Sequence, residues 1–338
     1  MAGQAGSSAP CAGEAGGVTT ADAAEAAAAA EAALPAPPHD AGRGVAPADW
    51  IGLSLAVGGS IAFSGKAIIV KLAYRHGVDA VTLIMYRMLF ALPLFVGLAW
   101  WAGRGRPALT RRDWLVVTGL GFSGYYLASF LDFAGLAYIT AGLERLILYL
   151  NPTLVLAIGA VAFHRKVTAR QAMALGVSYA GVLVVFGHEV SFQGSHVALG
   201  TGLVFASAVS YAVYLVYSGE EVKRLGALRL TGLASSVACL FCIGQFLVLR
   251  PLSAATEVAP AVLWLSVLNA TACTVAPVLM VMMAIERLGA GVAAQTGMIG
   301  PLSTILMGVL ILGEPFTGWI VAGTVLVLSG IWLLTKWR

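Results

Sequence analysis

Long apolar segments, separated by short polar ones, run along most of this chain from Trp50 to its last residues. Each is close to the ~20 apolar residues that a helix needs to cross the hydrocarbon core of a bilayer. Ten such segments cover residues 50–73, 79–102, 113–134, 141–163, 169–187, 197–218, 227–249, 260–285, 290–312 and 316–335. The pattern therefore predicts an all-α integral membrane protein with ten transmembrane helices.

The first 47 residues differ from the rest of the chain. They are rich in Ala and Pro, as in ADAAEAAAAAEAALPAPPHD, and offer little bulky apolar surface for a core. They also lack the basic start and the Leu-rich centre of a signal peptide. We therefore expect residues 1–47 to form a disordered cytoplasmic tail, followed by two units of five helices each at 50–187 and 197–336.

Composition and charge narrow the class of protein. Of the 338 residues, 59% are hydrophobic and 11% are charged, against about 25% charged in soluble domains, which excludes a single water-soluble core. With the amino terminus placed in the cytoplasm, 14 Lys and Arg residues fall on the cytoplasmic side and three, Lys71, Arg75 and Arg250, on the outside. Because cytoplasmic loops are enriched in Lys and Arg, we predict a multi-pass protein of the cell's inner (cytoplasmic) membrane with both termini in the cytoplasm.

The chain repeats itself at an offset of 149 residues, which places helices 1–5 on helices 6–10. Gly77 then falls on Gly226 and Pro152 on Pro301, and further Gly and Thr residues coincide. Because five helices are an odd number, the second copy must be inverted in the membrane relative to the first. Inverted repeats around a central site are typical of secondary transporters. A duplicated structural membrane protein without transport activity is the alternative.

Two stretches, NPTLVLAIGAVAFHRKVTARQAMALGVSYAG and GPLSTILMGVLILGEPFTGWIVAGTVLVLSG, begin at corresponding positions of the two copies. They resemble the repeated EamA signature of the drug/metabolite transporter superfamily, with a Pro in the fourth helix, a Gly-Glu turn and a Gly-spaced fifth helix. The second copy has this pattern at Pro301, Gly313, Glu314, Gly323 and Gly330. In the first copy, Arg165 replaces the Glu and Ala174 the first Gly. The resemblance covers residues 50–336 and implies ten helices, cytoplasmic termini and transport of small organic solutes, often by export.

Five ionisable residues lie inside the predicted helices, all in the outer half of the first repeat. They are Lys66, Arg87, Asp132, Glu144 and Arg145. Their counterparts in the second repeat are uncharged, so the duplication does not itself require these charges. Charged side chains inside a membrane are costly and mark functional sites by default.

Three interpretations of these charges stay open. In the first, side chains such as Asp132 and Lys66 reach the lipid headgroups from near the helix ends. In the second, ion pairs such as Glu144–Lys66 or Asp132–Arg145 lock the outer ends of the helices. In the third, an unpaired cation, Arg87 or Lys66, binds a substrate carboxylate while Glu144 carries protons. Arg87, about 12 Å from its helix end, is too deep to reach the headgroups easily and is the strongest functional candidate.

Polar and aromatic residues within the helices are candidates for lining a central cavity, because such groups need partners in a lipid span. The candidates for substrate binding or gating are Tyr86, Tyr149, Asn151, Tyr211, Tyr214, Asn269 and Gln295 together with Lys66, Arg87, Glu144 and Arg145, and further lining candidates are Tyr125, Tyr126 and Thr274. Each one also fits a packed aromatic or an interhelical hydrogen bond. Pro152, Pro277 and Pro301 are predicted to kink their helices, because proline cannot donate the backbone hydrogen bond to residue i−4.

These observations predict a secondary transporter that moves a small organic metabolite, amino-acid-like or drug-like, by alternating access, with export favoured over import. A membrane-embedded enzyme or a receptor without transport activity is the alternative. We expect no catalytic residue, no metal and no cofactor, and the absence of a Walker motif argues against direct ATP coupling. The expected partners are the small-molecule solute and the lipid bilayer, with no nucleic acid. The driving gradient is that of protons, as coupling ion, or the solute's own. The protein is expected to be a monomer or a homodimer.

Overall fold

The structure, a computed structural model, describes residues 50–163, 167–193, 196–288, 296 and 299–336. Ten long helices lie within these residues, with a single short helix, Ser253–Thr256, before the eighth. They are α1 (Trp50–Tyr74), α2 (Ala80–Gly103), α3 (Arg111–Leu120, Gly121–Leu127 and Ala128–Leu136), α4 (Ala141–Leu148 and Asn151–Phe163), α5 (Ala169–Gln193), α6 (His196–Leu225), α7 (Ala227–Leu249), α8 (Pro260–Ala270, Thr271–Val275 and Ala276–Leu288), α9 (Ile299–Met307 and Gly308–Leu312) and α10 (Gly318–Lys336). The predicted tail at 1–47 lies outside the described residues.

The prediction of an all-α membrane protein with ten helices in two related halves is confirmed. Eight of the described helices are long and apolar enough to cross a membrane, and Ile299–Leu312 and Gly318–Leu334 are shorter apolar helices. Most helix ends lie within a few residues of the predicted ones. The exceptions are α5, which continues past 187 to Gln193, and α6, which continues past 218 to Leu225. A helix keeps its backbone hydrogen bonds beyond the point at which its side chains become polar, so an apolar pattern underestimates its length.

Polar side chains in the loops set where helices begin. Asp79 caps α2 by accepting hydrogen bonds from the N–H groups of Val81 and Thr82, and Thr110 and Asp113 form a reciprocal capping box at the start of α3. The bundle end that carries the start of α1 and the α2–α3 loop is called the terminal face here. The end that carries the α1–α2 turn is called the opposite face.

The helices pair in a pattern that exchanges the two halves. α1 packs against α8 and α9, and α6 packs against α3 and α4, while α2 pairs with α7 and α5 with α10. Shifting every helix by five positions reproduces the same set of pairs, as a twofold axis between the repeats requires. The turns agree with this relation, since the counterparts Gly77 and Gly226 have φ angles of 78° and 81°, a conformation that favours glycine.

Small residues bring the α5–α10 pair close together. A Cβ atom at Gly181 would lie 2.6 Å from the carbonyl oxygen of Gly323, and a Cβ atom at Gly323 would lie 2.7 Å from that of Gly181. Lipid offers no hydrophobic drive for helix association, so such pairs depend on close van der Waals contact. Glycine at these two positions therefore sets the separation of the last helix of one repeat from the last helix of the other.

α3 and α8 each contain a stretch of wider π-helical turns near the middle. These stretches are Gly121–Leu127 and Thr271–Val275, and they overlap when one repeat is placed on the other. π-helical turns are rare and often lie at functional sites. Both repeats therefore widen the same helix at the same depth.

The three predicted kink prolines lie in different surroundings. α4 is interrupted between its segments Ala141–Leu148 and Asn151–Phe163, directly before Pro152 takes its place in the second segment. Pro277 follows the π-helical stretch of α8. Pro301 lies within Ile299–Met307, close to residues that the structure does not describe, so its kink stays a prediction.

Candidate functional site

Arg87 lies inside the bundle on α2, with 2% of its surface exposed. Its Nε atom donates a hydrogen bond to Thr274 Oγ1 of α8 at 3.2 Å. Its guanidinium carbon lies 5.2 Å from the centre of the Phe133 ring of α3, which is a cation–π interaction. Arg87 Nη1 is buried without a hydrogen-bond partner among the described residues, so this cation retains donor capacity.

Arg87 lines a small cavity between α2, α3, α7 and α8, called the central cavity here. Its other lining residues are Met88, Phe95, Tyr125, Ser129, Ser235 and Thr274. The cavity measures about 10 Å³, which is room for about one water molecule. Tyr125 and Thr274 are counterparts at the repeat offset, and each lies in its π-helical stretch. Both repeats therefore place the same position at this cavity, as expected for a site on the twofold axis.

Two of the predicted tyrosines connect to the central cavity through Tyr125. The hydroxyl groups of Tyr125 and Tyr214 share a hydrogen bond at 3.2 Å, and their rings meet edge to face with centres 5.1 Å apart. Tyr211 stacks on Tyr214 with ring centres 5.5 Å apart. A side chain at Gly124 would clash with the Tyr214 ring, so the glycine permits this arrangement.

A second group of buried charges lies where α1, α3 and α4 meet and is called the charge cluster here. It consists of Lys66, Asp132, Glu144 and Arg145, and none of these residues is more than 4% exposed. Lys66 Nζ lies 3.0 Å from Asp132 Oδ2 and 3.9 Å from Glu144 Oε1. The interpretation that Lys66 and Asp132 reach the headgroups is therefore wrong, because each has a buried partner of opposite charge. The ion pair Lys66–Glu144 is observed.

Glu144 and Arg145 are adjacent in the chain but contact different helices. Glu144 faces Lys66 of α1, whereas Arg145 Nε donates a hydrogen bond to Thr304 Oγ1 of α9 at 2.9 Å. The Arg145 guanidinium and Lys66 Nζ lie 5.2 Å and 5.4 Å from the centre of the Phe63 ring. Neighbours on a helix point about 100° apart, which is why the two charges have separate partners. The cluster thereby joins α1, α3, α4 and α9.

The start of α4 at the opposite face is held by two carboxylates from other parts of the chain. Thr140 caps α4, and its hydroxyl group donates a hydrogen bond to Glu189 of α5. The N–H group of Ala141 donates to Glu314 Oε1, just after α9, at 2.9 Å. Lys71 Nζ lies 3.6 Å from the same oxygen. The partial positive charge of a helix N-terminus favours carboxylates there, so α4 is anchored to α5 and to the end of α9.

Asp79 and Arg250 form an ion pair on the surface of the opposite face, with Arg250 Nη2 3.0 Å from Asp79 Oδ2. Partial burial alone would raise the pKa of Asp79, but hydrogen bonds from Thr82 and Arg250 outweigh it and lower the pKa below its usual value. Both side chains of the pair are about two-fifths exposed, and exposed ion pairs contribute little to the free energy of unfolding. Arg250 is therefore a suitable reference for a cation outside the bundle interior.

Other predicted site residues lie apart from the central cavity or at its edge. The Tyr86 hydroxyl donates a hydrogen bond to the carbonyl oxygen of Ala255 in the short helix before α8. Asn269 is buried, and its backbone carbonyl accepts a hydrogen bond from the Thr274 hydroxyl at 2.8 Å. The structure thus links Asn269 to Arg87 through Thr274, and it places the Tyr86 hydroxyl in a structural contact.

The remaining candidates flank the interruption in α4 or lie outside the described residues. Tyr149 and Asn151 are both buried, on either side of Leu150. Asn151 Oδ1 has no hydrogen-bond partner among the described residues. Gln295 lies outside the described residues. Roles in binding or gating for these residues stay predictions.

Four lining residues of the central cavity, Met88, Phe95, Ser129 and Ser235, were missed by the sequence reasoning. Single serine and phenylalanine residues are common in membrane helices and carry no charge that would single them out. The sequence contained one indirect signal, for Ser235. Its neighbour Ser236 is the repeat counterpart of Arg87. Only the convergence of the helices identifies these four residues.

Ten apolar helices in two related halves, with a buried cation at a small cavity that counterpart residues of both halves line, are the architecture of a multi-pass membrane transporter. The chain belongs to the EamA-like transporter family, whose family model matches residues 50–187 and 198–336. It is therefore a transporter and not an enzyme.

Individual relatives agree with this assignment. The uncharacterized transporter YcbK of Bacillus subtilis (strain 168) is 30% identical over 271 residues, which cover 76% of this chain and 83% of that protein. A protein of Salmonella typhimurium named a probable amino-acid metabolite efflux pump is 25% identical over 209 residues, which cover 57% of this chain and 67% of the relative. One protein of known crystal structure matches 85% of this chain and 96% of its own chain, with a TM-score of 0.55 and 17% sequence identity. This similarity concerns the fold alone.

Proposed function

We propose that this chain is a secondary transporter that moves a small organic metabolite bearing a carboxylate group across the cytoplasmic membrane by alternating access, in the direction of export. The observation that carries the proposal is Arg87, whose buried guanidinium contacts a hydroxyl group and an aromatic ring and has an unpartnered Nη1 among the described residues. A buried charge is costly unless it is paired. An anionic group of the solute is the partner that completes this site.

The class of solute is supported by the groups around Arg87 and by one relative. Arginine binds a carboxylate through two parallel hydrogen bonds, and the hydroxyl-bearing residues Tyr125, Ser129, Ser235 and Thr274 line the same cavity. The Salmonella typhimurium relative is named a probable amino-acid metabolite efflux pump. We therefore favour an amino-acid-like or drug-like acid as the solute and export as the direction.

Alternating access is supported by the twofold pattern of helix pairs. The central cavity has room for about one water molecule in this arrangement, so a solute binds only when the helices around it separate. Two equivalent packings of related halves expose one fixed site to each side in turn. The charge cluster joins α1, α3, α4 and α9 towards the opposite face, and its contacts are the ones that must break when the cavity opens to that face.

Protons are the proposed coupling ion, and Glu144 is the proposed carrier. Its charged neighbours are Asp132, Lys66 and Arg145, and neither of its carboxylate oxygens accepts a hydrogen bond from the described residues. The protonation of a buried carboxyl depends strongly on nearby charges. A movement that separates α1 from α4 removes Lys66 from Glu144 and therefore couples opening to proton uptake.

The proposal places the terminal face in the cytoplasm, in the inner membrane. The described arginines of that face are Arg104, Arg106, Arg111, Arg112, Arg170, Arg224, Arg229 and Arg287. At the opposite face the described basic residues of the short loops and helix ends are Lys71, Arg75 and Arg250. The excess of positive charge in short loops marks the cytoplasmic side.

Exchange of Arg87 for Gln tests the proposal in proteoliposomes, with uptake and efflux of a panel of amino acids and organic acids as the measurement. We expect transport to fall by about 100-fold, because removing one partner of a buried charge pair costs ~2–5 kcal/mol. Arg87→Lys should keep part of the activity, since the charge remains but the planar fork is lost.

Arg250→Gln is the matched control, because it removes an arginine at the surface, and it should transport as the unaltered protein does. Monodisperse elution and an unchanged helical circular dichroism spectrum establish that each variant is folded. Full activity of Arg87→Gln, or no transport of any panel member by the unaltered protein, contradicts the proposal.

A further inference from the structure

An apolar groove lies on the outside of the bundle between α2 and α8 and is called the lateral groove here. Its walls include Phe95, Gly97 and Trp101 on α2 and Val275, Val278 and Leu279 on α8. The groove measures about 400 Å³, within the ~300–1,000 Å³ of small-molecule pockets. Trp101 and Leu279 are exposed, so the groove faces the side of the bundle that lipid surrounds.

The lateral groove and the central cavity share one wall. Phe95 lines both spaces, and it is itself buried. On α8 the two spaces divide between adjacent residues, because Thr274 lines the central cavity and Val275 lines the groove. A single phenyl ring on α2 and one π-helical stretch on α8 therefore separate an apolar space from the cavity that holds Arg87.

Each wall of the groove is formed by a helix in which a proline removes one backbone hydrogen bond. Pro93 lies inside α2, two residues before Phe95, and Pro277 lies in α8, two residues after Val275. Proline removes the hydrogen bond to the preceding turn, which lowers the cost of local bending. Gly97 adds free space, because a Cβ atom there would have no neighbour within 4 Å.

We propose that the lateral groove receives the apolar side chain of the transported solute while Arg87 binds its carboxylate. Arg87 and Phe95 lie eight residues apart on α2, roughly 12 Å along the helix, so a solute that uses both has an acidic head and an extended apolar tail. The transporter then selects amphipathic acids over small polar ones. This inference rests on the proposed role of Arg87 and adds the specificity that the groove provides.

The experiment measures KM for a series of straight-chain 2-amino acids, from alanine through norvaline and norleucine to 2-aminooctanoate, in proteoliposomes of the full chain. These acids share one head group, so differences in KM report the tail alone. We expect KM to fall by up to about fourfold per added methylene group, the full transfer effect of burying it. KM should keep falling along the series for as long as each added methylene group is buried in the groove.

Gly97→Leu fills the lateral groove without touching Arg87, and Gly119→Leu is its matched control. Gly119 lies on α3, is exposed, and likewise has no neighbour within 4 Å of an added Cβ, so both variants make the same chemical change. We expect Gly97→Leu to raise KM for 2-aminooctanoate at least tenfold and to leave KM for alanine unchanged. Leu279→Trp narrows the groove from the other wall and should act in the same direction.

The outcomes separate this inference from the function on which it rests. Transport that depends on Arg87 but has the same KM for every tail, as expected if lipid permanently fills the groove, overturns the inference and leaves the proposed function intact. An equal loss for all acids in both Gly97→Leu and Leu279→Trp also overturns it, because a packing defect does not discriminate by tail. Absence of transport by the unaltered protein, or full activity of Arg87→Gln, contradicts the proposed function instead.

Discussion

Arg87 and Glu144 are both buried charges, but their surroundings differ in kind. Arg87 is next to a hydroxyl group and an aromatic ring, which stabilise a cation, and no carboxylate among the described residues pairs with it. Glu144 faces Lys66 at 3.9 Å and has further charged neighbours. A fixed cation suits the binding of an anionic solute, whereas a carboxyl among movable charges suits a change of protonation.

Exchange of Glu144 for Gln keeps the size of the side chain and removes the proposed proton carrier. We expect accumulation of solute driven by a pH gradient to stop, while exchange of solute across a membrane without a gradient continues. Proteoliposomes with and without an imposed pH gradient provide both measurements. Glu257→Gln changes an exposed carboxylate between α7 and α8 and should accumulate solute normally. Gradient-driven accumulation by Glu144→Gln would show that another group carries the proton.

At the scale of helices, two departures from regular α-helix coincide with the candidate site. The π-helical stretches of α3 and α8 hold Tyr125 and Thr274 at the central cavity, and α4 is interrupted next to Tyr149 and Asn151. The regular helices α5 and α10 instead pack tightly through glycine. Two of the four helices that surround the cavity are thus irregular beside it, and a regular pair holds the two repeats together at the periphery.

Gly181→Ala tests the packing of that regular pair. The added methyl group would lie 2.6 Å from a backbone oxygen and 2.9 Å from two side-chain carbons of α10, so the helices must move apart, at a cost of ~1–3 kcal/mol. We expect a lower midpoint of thermal unfolding in detergent. Gly187→Ala makes the same change on the same helix with no neighbour within 4 Å, and it should not lower the midpoint. Equal midpoints for the two variants would contradict the close α5–α10 contact.

At the scale of the whole molecule, the fold follows a twofold relation that the charges do not. The helix pairs and the positive-φ turn at Gly77 and Gly226 repeat in both halves, but the counterparts of Arg87 and Lys66 are Ser236 and Leu215. In the proposed transport cycle, the charge cluster therefore stabilises closure towards one face only. The arrangements open to one face and to the other then differ in energy, although the scaffold is symmetric. A solute or proton that binds one arrangement better shifts the equilibrium towards it.

Cysteine labelling tests the orientation of the molecule. His76 and Ala108 are exposed loop residues on the opposite and terminal faces, and the native Cys239, Cys242 and Cys273 are buried. In a chain with Cys11→Ser, we expect a membrane-impermeant maleimide to label His76→Cys in intact cells. It should label Ala108→Cys only after permeabilisation, because the terminal face is the more basic one. The reverse pattern would place the terminal face outside.

Much of the fold was predictable from the sequence because a bilayer imposes a strict length on each element. About 20 apolar residues are needed per helix, and each helix satisfies its own backbone hydrogen bonds in lipid, so ten segments predict ten helices. The offset of 149 residues likewise predicted the two related halves. Arg87, Glu144 and Thr274 were recognisable as candidates since polar groups are rare and costly in such segments.

The partners of those residues were decided by the tertiary structure alone. Most sides of these helices are apolar, because one side faces lipid and the other faces neighbouring helices, so the sequence has no polar stripe to show which face points inward. The contacts therefore depend on the rotation of each helix about its axis. This rotation brings Lys66 within 3.0 Å of Asp132 and places Phe95 between the central cavity and the lateral groove. The sequence by itself determined the number of helices, their repeat and which polar residues need a partner inside the membrane. The packing of the helices determined what each of these residues contacts.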